Sequence, residues 1–207
     1  MPTLLSYTTK MPGASLSLPR LITCPTGAKL AKCEGSVCAK CYASKGQYRC
    51  NNVKNAQNWR FNLTKTKDFV PIMVGALLSE THQGRVWFRW HDSGDIVGSE
   101  YGHKIFDIVE ATPAMNHYLP TKERAIIADV LSARPCPRNL VIRISTGMID
   151  EAPIIEDLPK PCCSAMTYTV AAPALAHVCH ATTGDKECGT CRACWSKDVL
   201  SIAYHLH

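Results

Sequence analysis

Twelve cysteines in 207 residues fall into two dense groups and a scattered remainder. The first group holds Cys24, Cys33, Cys38, Cys41 and Cys50, in a segment rich in Gly and Lys with little apolar periodicity. Such a segment buries no core of its own, so something else must order it, and a metal centre is the obvious candidate. Cys38-x-x-Cys41 is its tightest part. Two intervening residues let both thiolates turn to one point with the backbone amides directed at the sulfurs, which suits iron–sulfur clusters and tetrahedral zinc.

The second group reads Cys179, then Cys188-x-x-Cys191-x-x-Cys194-Trp195. This is the close spacing of bacterial ferredoxins, with Cys179 as the fourth ligand. Zinc usually takes two well-separated pairs, so the spacing favours an iron–sulfur cluster. A closed four-thiolate site transfers electrons or pins the chain and does no other chemistry. The first group allows two countings. Cys24, Cys33, Cys38 and Cys41 make a closed site; Cys24, Cys38 and Cys41 alone leave one iron open to a substrate or to S-adenosylmethionine.

Other chemistry-bearing residues gather at the ends of expected strands. Asp92 and Asp95, beside His91, Ser93 and Gly94, suit acid–base work or an amine ligand, or else an Asx-type turn capping the next helix. Lys122 is poorly placed for a helix N-terminus and is a candidate for an anionic substrate or cluster. Arg143 interrupts an apolar strand and needs a carboxylate, Asp92 or Asp95, or a cluster. The candidates are therefore Asp92, Asp95 and Lys122 for catalysis, Ser93, Gly94 and Arg143 for cofactor binding, and seven cysteines for metal. His91 and His180 are second choices, and Trp87, Trp90 and Trp195 are expected as core or cluster shielding.

The elements that must position these residues read as follows. Residues 1–23 are expected to be irregular. Helical spacing covers 51–63, and a second helix begins at Asp68 as N-cap and ends near 82–84. Residues 86–90 read as a strand, Ser99 caps a helix stopped by Pro113, 116–119 is a strand, and Thr121 caps a helix to about Ala133. Residues 140–145 form an apolar, buried parallel strand, and 168–171 one more. Alternation at this spacing means an α/β fold with a mainly parallel sheet of about four strands, like an incomplete barrel, flanked by cysteine-rich terminal segments. Ligands bind at the carboxyl ends of such strands, which puts 91–95, 120–123 and 145–147 on one rim. A single domain is expected, with a cluster loop over 24–50, a βα core over 84–175 and a cluster segment over 176–207.

A chain this long buries enough surface to fold without cysteine staples. With no basic-then-apolar leader and no apolar run of bilayer length, the expectation is a cytoplasmic protein with no membrane partner, in which grouped cysteines are metal ligands. The net charge of +6 does not by itself indicate nucleic acid. A [4Fe-4S]2+ core on four thiolates carries about −2 and on three about −1, which brings a two-cluster protein to about +3.

The chain resembles a family of small phage-encoded cysteine-rich proteins, the gene-product-88-like family. The resemblance rests on Cys24-x2-Gly27-x-Lys29-Leu30, Gly35-Ser36-Val37-Cys38-x2-Cys41-Tyr42-Ala43-x2-Gly46-x-Tyr48, Phe88 to Ile96, Leu119 to Glu123, Asn139 to Ser145, Cys188-Gly189-x-Cys191-Arg192-Ala193-Cys194-Trp195 and Tyr204-His205-x-His207. It implies an iron–sulfur protein of phage origin, working in the host bacterial cytoplasm. It also implies an aliphatic residue where Cys33 stands and no cysteine at Cys50, hence a three-cysteine first site. Cys136, Cys162 and Cys163 stay unassigned. The chain is more distantly similar to radical S-adenosylmethionine enzymes, in the three cysteines before a βα core, an aromatic beside them, the Ser93-Gly94-Asp95 turn, and a second, C-terminal cluster. That similarity implies one or two [4Fe-4S] clusters, S-adenosylmethionine and an electron donor. The rival expectations are a non-catalytic cluster protein that carries electrons or binds a host protein or nucleic acid, and a structural zinc protein.

Overall fold

In a computed structural model the described residues are 2–152, 159–184 and 186–206; His207 lies outside them. One eight-stranded sheet runs through the chain: β1 (Ser6–Tyr7), β2 (Ala14–Ser17), β3 (Trp87–Ser93), β4 (Asn116–Thr121), β5 (Leu140–Ile149), β6 (Cys163–Tyr168), β7 (His177–Val178) and β8 (Ser201–His205). The spatial order is β1-β2-β3-β4-β5-β6-β8-β7, with only β1 antiparallel to its neighbour, and the two ends do not meet. The helices are α1 (Pro25–Leu30), α2 (Asn51–Thr64), α3 (Phe69–His82), α4 (Ser99–Ala111), α5 (Arg124–Ala133) and α6 (His180–Thr183).

From β2 to β6 the strands follow chain order, with no switch of direction. Right-handed crossovers in a sheet wound one way all pass over the same face. Helices α3, α4 and α5 accordingly pack side by side. Strand alternation matches this division. Phe88, Trp90, Leu119, Leu140, Ile142 and Ile144 share a core with Met73 and Leu77 of α3, Ile105 and Phe106 of α4, and Ile127 and Val130 of α5. The intervening residues Trp87, Tyr118 and Arg143 instead meet the Ala193–Trp195 turn of the C-terminal cysteine segment. One face holds the core and the other carries the cysteines.

Several expectations from sequence need correction. Residues 1–23 contain β1 and β2; the alternation was too short to read, yet Leu16 and Leu18 are fully buried. The strand expected at 168–171 lies earlier, at Cys163–Tyr168, and Val170 is exposed. The short strands β7 and β8 complete a sheet twice as wide as expected. Thr121 ends β4, and α5 starts at Arg124 after Glu123. Gly98 precedes the first residue of α4, Ser99, and Asp68 stands at the N-cap of α3 without a side-chain capping bond.

Two histidines are part of the helix-side packing. His117 is fully buried; Trp90 Nε1 donates to its Nδ1 at 3.2 Å and its Nε2 meets Thr112 Oγ1 at 2.9 Å. His91 is 2% exposed, and its Nε2 meets Tyr101 Oη at 2.9 Å. Burial lowers both to about 3. Both are neutral in the fold, while the unfolded chain takes up protons below about 6.5. Stability is therefore full above that pH and falls as pH drops toward 3, by about 2 kcal/mol per histidine at pH 5. Burial raises Asp95 to about 6. That carboxyl works in the opposite sense and returns about 1 kcal/mol over the same interval. The urea midpoint is expected to fall from pH 7 to pH 5, and to fall about a third as far in His117→Asn; an equal fall in the variant overturns the assignment.

Candidate metal centres and the polar bridge between them

Cys24 lies immediately before α1, where Pro25 occupies the first helical turn. The Glu123 carboxylate fixes that turn, accepting from Thr26 N at 2.8 Å and Thr26 Oγ1 at 2.7 Å. The next segment is laid along the end of β5: Val37 N donates to Gly147 O and Ile149 N to Gly35 O, both at 3.0 Å. Ala39 N donates to Ser36 Oγ and Cys41 N to Cys38 O, which turns the Cys38–Cys41 pair inward. Cys24 and Cys38 come together over Gly27. A Cβ there would stand 2.9 Å from Cys24 Cβ, 3.5 Å from Cys38 Sγ and 3.9 Å from Cys24 Sγ, so a side chain would occupy the space between the thiols.

Burial, then the nearby Asp95, Cys41 and Cys38 charges, push Cys24 up to about 12; Cys38 is also raised by burial, against the pull of Lys122. Cys33 and Cys50 are exposed. The Cys33 thiol turns back to Lys29 O at 3.7 Å, and Cys50 leads into α2. The structure thus brings together Cys24, Cys38 and Cys41 and leaves Cys33 and Cys50 apart.

The three carboxyl-end segments meet on one rim. Asp95 accepts from Thr121 Oγ1 at 2.6 Å, Lys122 N at 3.0 Å and Ile96 N at 2.8 Å, so it ties the β3–α4 loop to the β4–α5 turn. Lys122 Nζ donates to Thr146 O at 2.8 Å, and Cys38 and Cys41 lie within its field. Burial lowers Lys122. Gly94 has φ +87°, and a Cβ would meet Thr23 Oγ1 at 2.5 Å and Leu18 Cβ at 2.6 Å. Its lack of a side chain serves the packing of the N-terminal segment.

The second group forms a hollow lined by Cys179, Cys188, Cys191 and Cys194 with His177, His180 and Trp195. His177 Nε2 stands 3.5 Å from Cys191 Sγ, and Tyr204 Oη 3.3 Å from Cys194 Sγ. Burial raises Cys179, Cys188 and Cys194, the last to about 11. Trp195 closes one side, donating through Nε1 to Phe88 O at 3.0 Å.

Arg143 is fully buried, and no carboxylate among the described residues pairs with it. Its five N–H groups all donate to backbone carbonyls: Cys194 at 3.2 Å, Ser164 at 3.3 Å, Val199 at 2.8 Å, Ala193 at 2.9 Å and Ser196 at 2.7 Å. The expected pairing with Asp92 or Asp95 is absent because alternation along β5 points Arg143 at the C-terminal segment. Among the described residues no three His, Cys, Asp or Glu side chains converge closely enough to hold a single ion. A cubane binds each thiolate on a different iron and does not require that convergence.

Sequence reasoning missed Arg89. It projects from β3 between the two cysteine groups, donating to Tyr42 Oη at 3.3 Å, with the Tyr118 ring 5.9 Å from the guanidinium carbon. Tyr42 follows Cys41 and donates to Asp92 O; Tyr118 Oη meets Tyr204 Oη at 2.7 Å, and Tyr204 reaches Cys194. An arginine inside a strand of large apolar residues was the available signal, of the kind that singled out Arg143. Cys136 and Cys162 pack against the helix-side core, and Cys163 Sγ donates to Lys197 O at 3.8 Å. These three take no part in either group.

Residues 3–197 match the model of the family described as Gene product 88. No curated protein and no solved structure matches the chain.

Two substitutions test this geometry. Arg143→Gln strands several buried carbonyls at about 1 kcal/mol or more each. Its denaturation midpoint is expected to drop, and metal is expected to leave the C-terminal site first. Gly27→Ala is expected to keep the far-ultraviolet circular dichroism of the fold while losing metal from the N-terminal site; full retention of metal overturns the close approach of Cys24 and Cys38.

Proposed function

The chain belongs to the gene product 88 family of phage proteins, and from that premise we propose that it is an iron–sulfur protein with two [4Fe-4S] clusters and a radical S-adenosylmethionine-like or related redox activity. The observation that carries this reading is a charge imbalance. Lys122 lies beside Cys38 and Cys41, and Arg143 lies beside Cys194. Neither makes an ion pair within 4 Å among the described residues. An uncompensated inward-facing cation is costly, and a thiolate-bound cluster, itself anionic, supplies the missing charge.

Cys24, Cys38 and Cys41 would hold the first cluster and leave it one iron without a protein ligand. Cys179, Cys188, Cys191 and Cys194 would hold the second, which would supply electron relay or an anchor for substrate. S-adenosylmethionine, on accepting an electron, is a source of radical chemistry. Within the Ser93-Gly94-Asp95 turn the fit falls on Ser93, whose buried hydroxyl has no partner. Asp95 already accepts three hydrogen bonds and braces the rim. Lys122 sets a positive charge against the electron that the first cluster receives. Trp87 and Trp195, 5.5 Å apart, exclude water from the second. The exposure of Cys33 favours this open-iron reading over a closed, purely structural or partner-binding cluster.

Iron, acid-labile sulfide and zinc per chain after anaerobic purification provide the test. About eight irons with matching sulfide are expected, with about half lost in Cys38→Ala and none lost in Cys33→Ser. Zinc without sulfide overturns the reading. The reduced protein is expected to show a cluster EPR signal that changes on adding S-adenosylmethionine; an unchanged signal removes the radical part.

A further inference from the structure

Buried side-chain nitrogen and oxygen atoms without a hydrogen-bond partner are rare in folded proteins, and each asks for an explanation. Among the described residues there are five, and four fall on one stretch of β3: Arg89 Nε, His91 Nδ1, Asp92 Oδ1 and Ser93 Oγ. His91 packs with Tyr101 and Trp90 on the helix side. Arg89 and Asp92 belong to the opposite side, between the two cysteine groups. Tyr42 contacts both, through its hydroxyl to Asp92 O and from Arg89 Nη2 at 3.3 Å. Tyr48 Oη donates to Asp92 Oδ2 at 2.9 Å and leaves Oδ1 open. Asp92 is 4% exposed. Arg89 and Asp92 feel each other's charge yet form no ion pair within 4 Å.

The two open atoms are opposite in kind. Arg89 Nε–H is an unused donor on a cation, and Asp92 Oδ1 an unused acceptor on a carboxylate. Had their purpose been to neutralise each other, direct pairing would have satisfied both. With Tyr42 on the Arg89 guanidinium and Tyr48 on Asp92 Oδ2, the two open atoms suit a third species that accepts from one and donates to the other. We propose that Arg89 and Asp92 form the binding site for a small acid with a hydroxyl or amine next to its anionic group: the anion on Arg89, the O–H or N–H on Asp92. The surrounding hydroxyls of Tyr42, Tyr118 and Tyr204 reach both cysteine groups, so the ligand lies between the proposed clusters. Binding is independent of the redox reading; only the fate of the ligand rests on it.

The test uses the anaerobically purified full chain, with pyruvate kept for the Asp92 comparison and three probes that define the site: lactate, which carries both groups; acetate, which lacks the hydroxyl; and lactamide, which lacks the anion. Thermal midpoint and calorimetric titration are read for each. Lactate is expected to bind about tenfold or more tighter than either other probe, and Arg89→Gln to weaken it about ten- to a hundredfold. Asp92→Asn offers an N–H where the carboxylate accepted. It is expected to shift preference from lactate to pyruvate, whose ketone accepts, which guards against a loss in Arg89→Gln that reflects folding alone. Equal binding of lactate and acetate, no binding of lactate, or an unchanged lactate-to-pyruvate ratio in Asp92→Asn overturns the proposal. Iron counted on the same samples separates the two readings: discrimination without iron leaves the acid site and removes the clusters, and iron without discrimination does the reverse.

Discussion

A guanidinium whose five N–H groups all meet backbone carbonyls holds the C-terminal third of the chain in place. Arg143 stands in the middle of the sheet and donates to carbonyls of four residues, 193, 194, 196 and 199, in the segment that carries and follows the last cysteine, and to Ser164 of the neighbouring strand. That segment has no helix or strand of its own beyond one short turn. Its backbone carbonyls would otherwise face an interior with no donors. One side chain therefore does for this loop what a ladder of backbone bonds does elsewhere. The remaining expense is the unneutralised charge, which the adjacent thiolate group is suited to meet.

The two cysteine groups are built by opposite means. The N-terminal one is assembled from outside, by the ends of two strands, β4 and β5: Glu123 fixes the turn after Cys24, Gly147 pairs with Val37, and Thr146 holds Lys122. The C-terminal one is assembled on the sheet face, with Trp87, Tyr118 and Arg143 as its floor. A sheet wound one way makes both possible, because its crossovers leave the second face free.

Much of this was legible in the sequence. Long periodic helices and apolar strands read true because burial on one face dictates residue type over many positions; α4, β4 and β5 are examples. The two-residue strands β1 and β7 carry too few positions to show a period. The rim of strand ends was legible because ligating residue types cluster there. What each residue does was not. Asp95 and Gly94 look like chemistry in one dimension, but one braces a turn and the other makes room for Leu18 and Thr23. Arg89 hid among aromatics, and its importance lies in lacking a partner, which only three dimensions reveal.

The last strand in the chain is not the last in the sheet. β8 is inserted between β6 and β7, and the cysteines 188, 191 and 194 lie in the connection between β7 and β8. Until β8 arrives, β7 has no neighbour and Cys179 beside it has no fixed position, since its amide bonds to Ala203 O. On the ribosome the chain emerges from its N-terminus. The residues that assemble the first cysteine group are all present once 149 has emerged, whereas the second group waits until β8 has emerged as well. The order of strands thereby imposes an order of assembly: the N-terminal group can close while the C-terminal one still lacks the strand that positions Cys179.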